Sequence, residues 1–425
     1  MSQNQKCSLL NSIALVIGTM VGAGILLIPR IILPYGKYGL IGWIIASICG
    51  VSLAYSFAQM SVIKAKQGKS QGLSAYSQQA FGNTVGFYVG WIHWIGLCFG
   101  FSSVTLAFTD YLYALIYAFP SISSFFPIYT KAYCAIGIII AMALLNIFFT
   151  SAGLSVLSYL TGIKVTLFII VIIASITRFE MSKILIDSQT SGVVSNIFAA
   201  AQFALLAFAG VEGAVVAGNN TENPERTIPL ATMIGTAIAA SLFCLTHLGI
   251  MVTLPVEQQL TSTAPVADTA KILLGEYGLM TISFMAVLGT LGSINALMIL
   301  TATVFKNLMD EHNMSKILRT TSSAGFPLFG CMLSSLIVIK LLYARYVLKI
   351  DLSTIMSTAT FLFLFSYFYT ITALYKEKNY NFTIWCIAMA GIATLMLGCE
   401  PICVSITVLL LFIGHLIYTI CQQSE

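Results

Sequence analysis

Apolar residues fill this chain in long runs, interrupted by polar, glycine or proline residues. The runs cover residues 9–33, 37–64, 83–118, 130–150, 154–177, 194–217, 229–253, 277–308, 327–348, 351–375, 380–398 and 401–421. A transmembrane helix takes about 20 apolar residues. The pattern therefore predicts an all-α integral membrane protein with twelve transmembrane helices and both termini on one side. Strands of a membrane barrel would alternate polar and apolar positions, and these runs do not. The first run begins at Leu9 without a small-residue cleavage site, so it is expected to be a retained helix. This divides the chain into a short N-terminus (1–8), five helices (9–177), five more (194–375), a final pair (380–421) and a short C-terminus (422–425).

Two runs are punctuated in their middles. The first carries Gly18, Gly22 and Gly24, and the sixth reads Phe208-Ala-Gly210-Val-Glu212-Gly213. Glycine inside a helix costs about 1 kcal/mol relative to alanine, so both helices are weak there. Unwinding frees backbone N–H and C=O groups, which lipid cannot satisfy. Interrupted helices at matching places in two halves point to a transport site at the middle of the membrane. A half-helix N-terminus would offer N–H groups to a carboxylate, and the freed carbonyls suit an ammonium. Close helix packing is the competing reading of Gly18 and Gly22, which have the spacing for it. Recurrence of the feature in the sixth run favours the transport site.

Composition narrows the function further. The chain is 58% hydrophobic and only 8% charged, against about 25% charged in soluble proteins. Its 20 basic and 15 acidic residues cannot cover a soluble surface of this size, which excludes a soluble enzyme and a nucleic-acid binder. The net charge of +5 is dispersed along the loops. The clusters Lys64/Lys66/Lys69 and Lys306/Lys316/Arg319 place both termini in the cytoplasm by a narrow excess. The ten cysteines lie mostly within apolar runs and form no CxxC pair, so they are read as packing residues. No zinc-helix or phosphate-loop motif is present and the four histidines are scattered, so no metal, cofactor or enzymatic activity is expected.

Several segments carry a family resemblance. They are Gly22-Ala23-Gly24-Ile25 with Pro29, Phe208-Ala-Gly210-Val-Glu212, Asn223-Pro-Glu-Arg-Thr-Ile-Pro229, Phe81-Gly82, Gly90-Trp-Ile-His-Trp94 and Ser366-Tyr-Phe-Tyr-Thr370. In this order they resemble the amino acid–polyamine–organocation transporter superfamily. Within it, the chain is most similar to the basic amino acid/polyamine antiporters, typified by arginine/agmatine and putrescine/ornithine exchangers. The resemblance implies a leucine-transporter-like fold: a five-plus-five inverted repeat with broken first and sixth helices, plus two C-terminal helices. It also implies alternating access. Carried over by position, the amides of Gly22, Ala23 and Gly24 would face a substrate carboxylate, and the carbonyls of Met20, Leu206 and Ala209 its amino group. The chain departs from the arginine exchangers at three positions. Ala23 replaces a serine, and Leu206 and Leu297 replace the tryptophans that stack on a guanidinium. Each lost cation–π contact is worth about 0.5–2 kcal/mol, so a smaller, apolar or neutral amino acid fits this lining at least as well as arginine.

Ionisable groups inside a membrane are functional candidates by default. The resemblance places Glu212 in a gate below the substrate, with Tyr367 and His93 as partners. A buried carboxylate takes up a proton more readily than an exposed one, and an adjacent histidine can share it. Lys164, in the fifth run, matches a lysine that stands where sodium binds in sodium-coupled relatives. That implies sodium independence and a second proton-coupling group. The expected protein is a bacterial inner-membrane carrier of amino acids or amines, monomeric or homodimeric, working as an exchanger or a proton symporter. A transporter-like sensor that binds without turnover is the alternative.

Overall fold

The structure, a computed structural model, describes residues 9–22, 24–69, 71–148, 165–166, 168–180, 184, 192–210, 223–322, 325–377 and 380–423. Every substantial element among them is helical, and the one isolated bridge joins Thr321 to Pro327. The first run is two helices, α1 (Leu9–Met20) and α2 (Gly24–Ile32). After them come α3 (Lys37–Lys66), a surface helix α4 (Leu73–Phe81), α5 (Asn83–Tyr117) and α6 (Lys131–Phe148). Residues 168–176 of the fifth run are helical. The remaining helices of nine residues or more are α7 (Val193–Leu205), α8 (Pro224–Thr253), α9 (Pro265–Glu311), α10 (Leu328–Tyr346), α11 (Leu352–Leu374), α12 (Phe382–Leu397) and α13 (Pro401–Gln423). Eight helices among the described residues are long and apolar enough to cross a membrane, and three shorter apolar stretches accompany them.

Two boundaries differ from the expected ones. The seventh run starts at Pro224 rather than 229. Proline suits the first turn of a helix, where its missing N–H has no intrahelical partner to lose. The eighth run starts at Pro265 rather than 277, because Gly275 (φ +71°) joins a short preceding helix to the long one across a kink. Only glycine takes such a φ without strain. Surface helix α4 was not expected, because its run of polar and apolar residues is only nine residues long.

Helix α5 forms the centre of the molecule, packed between α9 and α11, while α3 packs on α7 and α8. Trp94 is fully buried and donates from Nε1 to Ser334 Oγ at 3.1 Å. Trp91 donates to the Leu410 carbonyl at 2.9 Å, tying α5 to α13. Both tryptophans are thus structural. The eight described cysteines are free thiols. Close approach of α3 and α7 depends on Gly42: a Cβ there would lie 2.7 Å from Ala200 Cβ and 2.8 Å from Ala201 N.

Lys64, at the end of α3, is only 4% exposed and donates to Glu377 Oε1 at 2.5 Å. Gln67 donates to Oε2 of the same carboxylate at 3.1 Å. Burial pushes the Glu377 carboxyl up, but the Lys64 and Gln67 hydrogen bonds and the Lys64 and Lys69 charges outweigh it and hold it below its ordinary value. A carboxylate depressed on folding adds stability that is present above its unfolded pKa and lost as pH falls through the folded one. The difference in melting temperature between the wild type and Glu377→Gln is therefore expected to hold above the ordinary glutamate pKa and to fade as pH falls below it. A difference that does not change with pH would remove this pair from the acid response.

Candidate functional site at the two helix breaks

The first break follows Met20. Helix α1 ends there, Val21 and Gly22 are non-helical, and α2 starts at Gly24. The Gly22 amide donates back to the Met20 carbonyl at 2.9 Å, closing a tight turn of three residues. These two groups, expected to face a substrate's carboxylate and amino group, satisfy each other in this conformation. That is how an unwound segment avoids the cost of unpaired backbone in an apolar setting.

The second break follows Leu205. One tight helical turn, Leu206–Phe208, caps α7. Ala209 is then extended (ψ 136°) and Gly210 takes φ +100°, which strains any side-chain-bearing residue. The Ala209 amide donates to the Leu206 carbonyl at 3.2 Å, so the Leu206 oxygen is also engaged within its own turn.

The breaks touch. A Cβ on Gly24 would lie 3.0 Å from Ala207 Cα and 3.1 Å from Ala207 Cβ. Helix α9 supplies the third wall. Ser293 Oγ lies 3.3 Å from where a Gly22 Cβ would be, and it donates to the Gly289 carbonyl at 3.1 Å. Gly22, Leu26, Phe168, Ile282, Met285 and Gly289 line a cavity of about 10 Å³, close to the space one water needs. The α9 wall is a stripe at positions 282, 285, 286, 289 and 293, the spacing of one helical face. Leu297 continues that stripe one turn further and is half-buried.

His93 and Tyr367 share one neighbour, Phe363. The His93 ring lies 5.5 Å from the Phe363 ring, and Phe363 stacks on Tyr367 at 6.0 Å. Phe57 meets the other side of Tyr367 edge-on at 5.0 Å. Ala23, Lys164 and Glu212 lie outside the described residues.

The far end of α2 is clamped. Tyr111 donates to the Leu26 carbonyl at 3.1 Å, and Arg30 pairs with Asp110 on α5. Lys131, at the start of α6, reaches the other oxygen of Asp110 at 2.6 Å. Asp110 is 7% exposed, so its two cations replace water that it has lost. Asp110 thus sits in a buried ion cluster.

Residues 8–422 match the sequence profile of the amino acid permease family. The chain belongs to that family, a branch of the amino acid–polyamine–organocation superfamily. The permease is an integral, multi-pass membrane protein, and its relatives are transporters rather than enzymes. It is 27% identical over 395 residues to the cadaverine/lysine antiporter of Escherichia coli (strain K12), covering 90% of this chain and 86% of that one. It is 25% identical over 338 residues to the putrescine transporter PotE of the same strain, covering 78% and 74% of the two chains. It is 27% identical over 328 residues to the human cystine/glutamate transporter, covering 74% of the permease and 63% of the relative.

Sequence reasoning missed Ser293, Phe168 and the Asp110 cluster. The α9 wall had a signal, since Ala286, Gly289 and Ser293 form a small-residue stripe at helical spacing. The ion cluster had none: Arg30, Asp110 and Lys131 are far apart in sequence and each reads as an interfacial charge.

Proposed function

We propose that the permease is a secondary active transporter of amino acids or related amines that works by alternating access, independently of sodium. The observation that carries this reading is the contact between the two breaks, Gly24 against Ala207. Two interrupted helices that meet back to back, beside a helix face of small residues, form a site whose backbone groups can exchange internal hydrogen bonds for substrate. The Gly22–Met20 and Ala209–Leu206 bonds are the ones given up. The amides of Gly22, Ala23 and Gly24 then take the carboxylate, and the carbonyls of Met20, Leu206 and Ala209 take the amino group. The space beside Gly22 is too small for an amino acid, so binding goes with an outward swing of α2 or of the α9 wall.

In this reading the twelve spans form two inverted repeats, 9–177 and 194–375, with helices 380–421 added and both short termini (1–8 and 422–425) in the cytoplasm of a bacterial inner membrane. Glu212, His93 and Tyr367 form the gate, and Lys164 occupies the place of a coupling ion. The relatives named as antiporters support exchange as the mode. The lining beside Gly22, apolar among the described residues, supports a substrate with a neutral side chain.

Uptake into proteoliposomes tests this. The panel is the twenty amino acids with putrescine, cadaverine and agmatine, each with and without internal substrate, sodium and an inward proton gradient. A neutral amino acid is expected to enter faster when the lumen holds the same compound, and equally well when sodium is replaced by choline. Uptake that requires sodium would remove Lys164 from its assigned role. Failure of every panel member would overturn the substrate class.

A further inference from the structure

We propose that the trough between α5, α11 and α13 binds an anionic phospholipid, one acyl chain along its apolar walls and its headgroup at Tyr88, His415 and Lys376. The trough encloses about 350 Å³, and Val85, Val89, Phe365, Leu411 and Phe412 supply apolar wall. That volume falls within the range of small-ligand sites. It opens on the outer face of the bundle, where Phe412 is 58% exposed.

Its polar groups gather at one end. Tyr88 OH and His415 Nδ1 are 2.7 Å apart. That leaves the other ring nitrogen of His415, an exposed side chain, with no partner among the described residues. Tyr88 lies five residues inside the start of α5, and Tyr369, which also lines the trough, five residues inside the end of α11. At 1.5 Å per residue each is about 7.5 Å from its helix end. A headgroup layer is about 5–7 Å deep, so the pair sits where phosphate and glycerol meet hydrocarbon.

A fixed cation completes the match. Lys376 lies two residues past the end of α11, beyond Tyr369. Its ammonium donates to the Ala80 carbonyl at 2.5 Å and sits 4.3 Å from the Phe81 ring centroid, and Phe81 meets Tyr369 edge-on. No carboxylate among the described residues pairs with it. The arrangement runs from hydrocarbon wall to phenol–imidazole pair to unneutralised ammonium, the order of groups along an anionic phospholipid.

Native mass spectrometry of the full-length permease in detergent, titrated with dioleoyl phosphatidylglycerol or dioleoyl phosphatidylethanolamine, tests the site. Phosphatidylglycerol is expected to be retained about fivefold more strongly, the effect of one basic side chain at a membrane surface. The double variant Lys376→Gln/His415→Ala should lose that preference and still bind lipid. Leu411→Trp, which fills the trough, should reduce retention of both. Each variant is first shown to elute as the wild type does on size exclusion. Equal retention of the two lipids by the wild type would overturn the proposal, as would an unchanged preference in the double variant. A Phe412→Cys cross-link between two copies that excludes lipid would assign the trough to a dimer contact and overturn it as well.

Discussion

Gly24→Val is expected to lower uptake roughly a hundredfold, the scale of loss when binding groups are displaced by about 1 Å, while the permease still reaches the membrane. The reason is the contact between the breaks. A Cβ at this position already lies 3.0 Å from the Ala207 Cα, and backbone cannot rotate aside as a side chain can. The two γ-methyl groups of valine would drive α2 away from the turn at Leu206–Phe208. The contrast is Gly22→Ala. Its Cβ would meet the Ser293 hydroxyl at 3.3 Å, and a hydroxyl yields by changing rotamer. That variant is expected to keep most of its uptake. Radiolabelled uptake in proteoliposomes at matched protein content checks both. Normal transport by Gly24→Val would show that the two breaks need not touch for the cycle to run.

Asp110→Asn is expected to be the most destabilising single change outside the breaks. Removing one partner from a buried ionic group costs about 3–5 kcal/mol, because the remaining charges stay buried without compensation. Here two cations, Arg30 and Lys131, would be left facing one another. Arg30→Gln is expected to cost less, since Lys131 remains on the carboxylate. Thermal unfolding in detergent should rank Asp110→Asn well below Arg30→Gln, and Arg30→Gln below the wild type. The reverse order would mean that Asp110 is neutral in the fold and that the cations have other partners.

The helix breaks were legible because glycine has a local effect. Gly22, Gly24 and Gly210 weaken a helix wherever they stand, and the structure has non-helical backbone at Val21–Gly22 and again at Ala209–Gly210. The expected gate of Glu212, His93 and Tyr367 came from the family resemblance alone; in the structure His93 and Tyr367 each meet Phe363. The kink at Gly275 was not legible. Glycine also occurs at Gly42 inside the straight helix α3, where it allows α7 to approach closely. Nothing in the sequence around a glycine separates a kink from a packing contact, because the difference lies in what stands opposite.

Hydrophobic run length and low charge determined that this chain crosses a membrane as helices, since lipid leaves no other way to satisfy so much backbone. The punctuation of the first and sixth runs determined where those helices yield. Only the tertiary structure decided that the two weak points meet at Gly24 and Ala207, that Ser293 closes on Gly22, and that the Gly22 amide is held by Met20. It also decided that Asp110 joins two cations. These are contacts between residues far apart in the chain. Periodicity records which face of a helix is apolar, but it does not record which other face it meets.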